Sequence, residues 1–216
     1  MKAHRGQVSP YAGRWVARLG EKIIAHGGTP RQALLAAKAS RFKENPRIEY
    51  VPMPVELAFS PLLETVRTHI PPQEEIYLVG GAVRDALLQR ASNDLDFVTR
   101  DDPQTIARRL ADRMGGAYFP LDVEHGIARI VLRLENGERA HLDFARLRGA
   151  SIEADLGQRD FTINALAVSL KRPQEILDPT GGAPDLLARR LRACAPTSMQ
   201  ADPIRVVRGI RMAAAY

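Results

Sequence analysis

Residues 76–98 read IYLVGGAVRDALLQRASNDLDFV, and the fold turns on how this stretch is divided. An apolar run, Ile76 to Val79, meets Gly80 and Gly81. A helical pattern carrying Arg84 and Asp85 follows, and then Asp94-Leu95-Asp96-Phe97-Val98 alternates polar and apolar. The first run predicts a buried strand, the glycines a turn into a helix, and the alternation a second strand with one face in the core. Alternate residues of a strand share a face, so Asp94 and Asp96 project together. Two carboxylates so placed repel unless a cation lies between them, and hard oxygen donors suit Mg2+. A two-metal phosphoryl-transfer site needs carboxylates that bridge ions about 3.5–4 Å apart. An isolated Asp-x-Asp is nevertheless most often a solvated strand face.

Working outward, RAHLDFARL (139–147) alternates with Leu142 and Phe144 inward and His141, Asp143 and Ala145 outward. Set beside DLDFV, Asp143 would complete a carboxylate triad; alone, it reads equally well as an exposed acid. A strand–Gly-Gly–helix turn lets backbone approach a ligand, and the new helix offers free N–H groups to an anion. Arg84 would then reach a triphosphate, while Asp85 reads as a scaffold or helix-dipole residue.

Further strands are predicted at GAYFPL and IARIVLRL, the latter joined to RAHLDFARL by a hairpin at Asn136-Gly137. DPQTIARRLADRM predicts a helix capped by Asp102 with Pro103 at its first position. FTINALAVSL predicts a helix running into a strand, DPTGGAPDLLARRLR a loop and short helix, and DPIRVVRGIRMAAAY a helix to Tyr216. The order gives an α+β head, a mixed sheet flanked by helices, with its polar motifs gathered at one edge.

Residues 1–54 form a different texture. RWVARLG and EKIIAHG predict two strands about Gly20, TPRQALLAAKASRF a helix with Thr29 as cap and Pro30 first, and RIEYVPM a third strand. This resembles a small ββαβ module of unknown function. The proline-rich PMPVELAFSP opens a linker, so the expected division is 1–54 module, 55–74 linker and helix, 75–180 head, and 181–216 the start of a helical neck; the module is expected to fold independently.

The 216 residues are 45% hydrophobic and 26% charged, ordinary for a globular protein. No apolar run approaches a membrane span, the start lacks a signal-peptide core, and Cys194 is the only cysteine, so a cytoplasmic protein is expected. The net charge of +6 suits contact with polyanions, with arginines clustered at Arg189, Arg190, Arg192 and at Arg205, Arg208, Arg211, although charge alone reads better as a solvated basic face.

LVGGAVRDALL with DLDFV resembles the class II tRNA nucleotidyltransferases, the CCA-adding enzymes, and the related bacterial poly(A) polymerases. QRDFTINALA (158–167) resembles their ribose-recognition motif, DPTGGAPDL (178–186) their flexible loop, and ADPIRVVRGIR (201–211) their base-recognition motif. Four motifs in order cover residues 76–216. The resemblance implies that Asp94 and Asp96 bind Mg2+, with Asp143 as the third acid. Gly80, Gly81 and Arg84 would hold the triphosphate. Arg159 and Asp160 would contact the nucleotide, Asp160 at the ribose 2′-hydroxyl, with Asn164 supporting them. Asp202, Arg205 and Arg208 would face base and phosphates. Ala201 stands where the family usually has Glu, and Gln158 where it often has Arg. Relatives continue past the position of Tyr216 into helical neck, body and tail regions, so a catalytic fragment or a minimal variant is expected.

The implied reaction is transfer of CMP or AMP from CTP or ATP to the 3′ end of tRNA. Alternatives are a poly(A) polymerase, an enzyme adding only C or only A, a catalytically dead RNA-binding module, and a toxin-like enzyme that modifies protein. The intact acids argue against the dead module, and the QRDFTINAL motif against the toxin. By local pattern Asp202 before Pro203 reads as a helix cap and Arg205 as a surface residue of an amphipathic helix; as a pair they also suit base selection, the carboxylate accepting from the amino group of cytosine or adenine and the guanidinium donating to the ring nitrogen.

Overall fold

The computed structural model describes residues 9–40 and 44–215. The N-terminal part contains β1 (Arg14–Leu19), β2 (Lys22–Gly27), α1 (Pro30–Ala39) and β3 (Arg47–Val51). β1 pairs antiparallel with both neighbours, giving the order β2-β1-β3. Gly20 takes the left-handed conformation the tight turn needs, φ 56°. Thr29 accepts the Gln32 N–H and Pro30 opens α1, as its sequence predicts. Arg41 and Phe42, at the end of the predicted helix, lie outside the described residues.

The larger sheet is assembled from β4 (Met53–Pro54), β5 (Ile76–Val79), β6 (Asp94–Thr99), β7 (Ala117–Asp122), β8 (Ile127–Arg133), β9 (Arg139–Arg146), β10 (Ala167–Ser169) and β11 (Arg172–Leu177). Their order is β4-β11-β10-β5-β6-β9-β8-β7, antiparallel throughout except β6 with β9. One face packs against α2 (Pro61–His69), α3 (Gly81–Leu87) and α4 (Pro103–Met114) through Leu78, Leu95, Phe97, Leu142 and Phe144. Phe97 and Phe144 are register partners whose rings stack 4.8 Å apart, fixing β6 against β9 from below. The opposite face carries a second core of Val79, Val98, Leu177 and α5 (Ile152–Gly157), which contributes Ile152 and Leu156. A 3-10 turn (Thr162–Asn164), α6 (Gly182–Leu187), α7 (Ser198–Ala201) and α8 (Ile204–Ala215) complete the described fold. Tyr216 lies outside it.

The N-terminal module packs against the head: Tyr50 is buried in the second core with Val79, Ala165, Ala167 and Leu177, and Trp15 packs beside it. The predicted linker begins as strand, because Met53 and Pro54 pair with Ile176 and Glu175. FTINALAVSL holds one 3-10 turn rather than a helix before β10.

Candidate active site

The acids lie on central strands of the sheet rather than at its edge. In β6, Leu95, Phe97 and Val98 are buried while Asp94 and Asp96 are not, so both carboxylates share the face of the second core. Parallel pairing sets Asp96 opposite Asp143 and Asp94 opposite His141, on strands about 4.8 Å apart. The spatial expectation for Asp143 is met, but Arg129 grips its carboxylate with two bonds of 2.7 Å. Asp143 is therefore a charge-paired neighbour of the two metal-type acids rather than an open third ligand. His141 Nδ1 lies 3.0 Å from Asp94. Among the described residues, no hydrogen bond reaches the Asp96 carboxylate, and no three His, Cys, Asp or Glu side chains converge as a ready cage.

Although Asp96 is open to solvent at the strand surface, protein crowded around its carboxyl, then Asp143, pushes that carboxyl above its usual value; Arg159 and Arg129 act against this, and Asp94 adds to it. The donor set fits a hard divalent cation. Asp94 and Asp96 are same-face carboxylates, and a positive charge beside them relieves a repulsion built into the strand pair.

Gly80 closes the site from the side. Its φ of 74° and ψ of −132° suit glycine, and a β-carbon there would meet Arg159 Nη1 at 3.5 Å and Asp96 Oδ2 at 3.7 Å. Backbone, metal-type acid and arginine thus converge within one side-chain radius. The β-carbon of Gly81 would lie 3.5 Å from Arg84 Nη2. Arg84 engages Asp85 through Nε and Nη2 and donates from Nη1 to Asn164 Oδ1 at 2.8 Å. Asp85 thus orients Arg84, the scaffold role its sequence suggests.

Arg159 is aimed by Asp155, which accepts from its Nε and Nη2 at 3.0 and 2.9 Å. Asp160 is buried and committed: Oδ1 accepts the Phe161 N–H and Asn164 Nδ2, and Oδ2 accepts Arg208 Nη1 at 2.8 Å. Burial is the largest influence on Asp160 and raises its pKa; Arg208, the Phe161 N–H and Asn164 outweigh it and hold the carboxyl below its usual value. Asp160 is placed here as a hub, and a ribose hydroxyl would have to compete for its oxygens. The hub joins α8 to the glycine turn through Arg208, Asp160, Asn164 and Arg84.

Asp202 accepts the Ile204 N–H at 3.1 Å, a capping contact, and its Oδ2 lies 3.6 Å from Arg205 Nε. Arg205 donates to the carbonyls of Gln158 and Arg159 and to Ser198 Oγ, pinning α8 to the end of α5. The pair lies together, with its arginine largely engaged by backbone. The side chain of Ala201 lies outside the described residues.

Sequence reasoning missed Arg129, Asp155 and Ser198. Arg129 had a readable signal: the Asn136-Gly137 hairpin with unbroken register brings residue 129 opposite 143.

The family model for the poly A polymerase head domain matches residues 76–192, and a family of unknown function matches residues 7–54. The chain is 54% identical to a CC-adding tRNA nucleotidyltransferase of Geobacter sulfurreducens over 64% of its length and 31% of the relative's. It is 45% identical to an A-adding tRNA nucleotidyltransferase of Deinococcus radiodurans over 62% and 29%. The chain therefore spans about a third of the length of the curated relatives it matches. A solved tRNA-processing enzyme with CTP is similar at TM-score 0.57 and 38% identity, covering 65% of this chain and 38% of that one. A tRNA nucleotidyltransferase complexed with a primer tRNA and an incoming ATP analogue is similar at TM-score 0.56 and 37% identity, covering 64% and 41%. The first of these matches reaches from the strand before Gly80 to Arg192, more than half of the chain, and on that ground the protein belongs to the poly A polymerase head domain family.

Proposed function

We propose that this chain is the catalytic head of a template-independent nucleotidyltransferase that adds C, A or both to the 3′ end of tRNA from CTP and ATP. The observation that carries the reading is the juxtaposition of Asp96 with the Gly80 backbone and Arg159, with Asp94 on the same strand face. In the reaction the RNA 3′-oxygen bonds to the α-phosphorus, the bond to the β-phosphate oxygen breaks, and pyrophosphate leaves with the hydroxyl proton released. Asp94 and Asp96 would hold Mg2+, which when bound supplies the Lewis acid that acidifies the hydroxyl and neutralises the leaving oxygens. Gly80 and Gly81 admit the triphosphate close to backbone, while Arg84 and Arg159, each oriented by an aspartate, supply positive charge. Asn164 ties Arg84 to the Asp160–Arg208 pair, so one hydrogen-bond network links the glycine turn to α8. Asp202 and Arg205 read the base in this proposal, and the reaction is assigned to the cytoplasm. Among the described residues no helix is long and apolar enough to cross a membrane.

The CC-adding and A-adding relatives frame the substrate question. The test offers tRNA ending at the discriminator base, at C, at CC and at CCA, with each nucleotide separately. Extension of the first three with CTP or ATP supports the reading and defines the product; repeated addition of A to the CCA end, labelling of protein, or nucleotide binding without RNA extension refutes it.

A further inference from the structure

The charge of this protein is divided unequally. Residues 1–54 hold ten Lys and Arg against three Glu, while residues 55–216 hold 21 Lys and Arg against 22 Asp and Glu. The positive balance therefore belongs to the N-terminal module. Most cations of the head's two arginine clusters are engaged internally: Arg190 and Arg192 with Asp185, Arg208 with Asp160, and Arg205 with Asp202 and backbone carbonyls. In the module, Arg14, Lys22, Arg31 and Lys38 are exposed and, among the described residues, none has an ion-pair partner. Unpaired, solvated cations keep their full attraction for a polyanion, whereas paired ones do not.

The module is also held in a defined place. Val16 and Ala17 are neighbours on β1, hence on opposite faces, and both are fully buried. One face of the small sheet is covered by the head through Trp15 and Tyr50, and the other by α1 through Ala33 and Ala37. The outer side of α1 is then free surface, and it carries Arg31, Leu35 and Lys38 at helical spacing, with Leu35 56% exposed. The two cations are seven positions apart, about 10 Å along the helix. Trp15 and Tyr50 meet the second core, which lies on the same sheet face as Asp94, Asp96 and Asp143. The module is therefore seated on the sheet face that carries the acids, with Arg31 and Lys38 of α1 on its outer, solvent-facing side.

We propose that the N-terminal module is a phosphate-docking platform for the RNA acceptor, with Arg14, Lys22, Arg31 and Lys38 supplying the contacts. The proposal rests on the reading that the acceptor is RNA. Its contacts are to the backbone and carry no base sequence. The module adds affinity and leaves nucleotide choice to the head.

The test is binding of a tRNA transcript lacking its terminal CCA, followed by fluorescence anisotropy from 50 to 200 mM salt. Wild type is compared with the quadruple variant R14Q/K22Q/R31Q/K38Q and with a control removing the same charge elsewhere, R133Q/R139Q/K171Q/R172Q. The module variant should lose affinity on the order of tenfold at low salt, its log–log salt slope falling by about 0.7–0.9 for each phosphate contact removed. The control should stay within about twofold of wild type, since these four lie outside the platform. Both variants should melt as wild type does, because all eight side chains are exposed. Equal losses in the two variants, an unchanged module variant, or tighter binding to phosphatidylglycerol vesicles than to tRNA each overturn the platform. The measurement needs no turnover: a chain that binds tRNA through the module yet extends no RNA refutes the transfer reaction alone.

Discussion

Replacing Arg208 with Ala should separate charge from packing at the hub. Asp160 is 5% exposed, and Arg208 is its cationic partner at 2.8 Å. Removing one member of a fully buried pair costs about 3–5 kcal/mol. The Arg208 side chain is 43% exposed, so solvent screens its share, and about 1–2 kcal/mol is expected. For a chain of this size that lowers Tm by about 2–8 °C at pH 7. The pH dependence is more specific. In wild type the folded carboxyl lies below its unfolded value, so its ionised form contributes fully above about pH 4–5 and is lost as pH falls through the folded value. Without Arg208, burial, the largest influence, is weakly opposed and the folded value rises, so the variant regains relative stability on acidification. The Tm difference, followed by circular dichroism at pH 7, 5.5 and 4, should be largest at pH 7 and shrink towards pH 4. Arg208→Met, which keeps the aliphatic stem, should behave in the same way. A difference constant across that range would refute the electrostatic account and leave packing as the cause.

Three further outcomes follow from the packing and caps. Gly182→Ala places a β-carbon 2.0 Å from the Thr162 carbonyl oxygen, which is backbone and cannot step aside, so urea denaturation should show a loss of about 3 kcal/mol or more; near-wild-type stability would show that α6 shifts freely. Asp202→Ala should cost about 1 kcal/mol as a lost cap and, on the base-reading proposal, weaken preference for CTP and ATP over UTP and GTP; a lower Tm with unchanged preference would leave Asp202 a cap alone. Deleting residues 1–54 strips Tyr50 and Trp15 from Val79 and Leu177 and β4 from β11, so residues 55–216 should melt lower or aggregate in scattering assays; a cooperative fold at wild-type Tm would show an independent module.

What was legible in the sequence followed local rules. The alternation in DLDFV and RAHLDFARL gave faces, Asn136-Gly137 gave a hairpin, and Thr29-Pro30 and Asp102-Pro103 gave helix starts, all of which depend on residues within a few positions of one another. The parallel register of Asp96 with Asp143 spans 47 positions and is set by packing such as Phe97 on Phe144, which no local pattern contains. The same holds for the hub: Arg208 reads as a surface arginine on an amphipathic helix until the fold carries it to Asp160, 48 residues away. The module looked separate because prolines follow it, yet Tyr50 and Trp15 read equally well as core of a small unit and as contacts with a larger one. Short elements such as α5 and α7 have too few residues to show a period, so Asp155 and Ser198 went unnoticed.

The most direct test of the central claim is transfer of label from α-32P CTP or ATP to tRNA lacking its CCA end, in Mg2+, by wild type and by Asp96→Asn. The substitution keeps shape and removes the charge, so transfer should fall at least about a hundredfold. Tm should hold or rise, because the desolvation and the repulsion from Asp143 that raise the Asp96 carboxyl no longer act on a charge. Transfer undiminished in Asp96→Asn or in the double variant with Asp94→Asn, or undiminished in excess chelator, would contradict the assignment of these carboxylates as the catalytic centre.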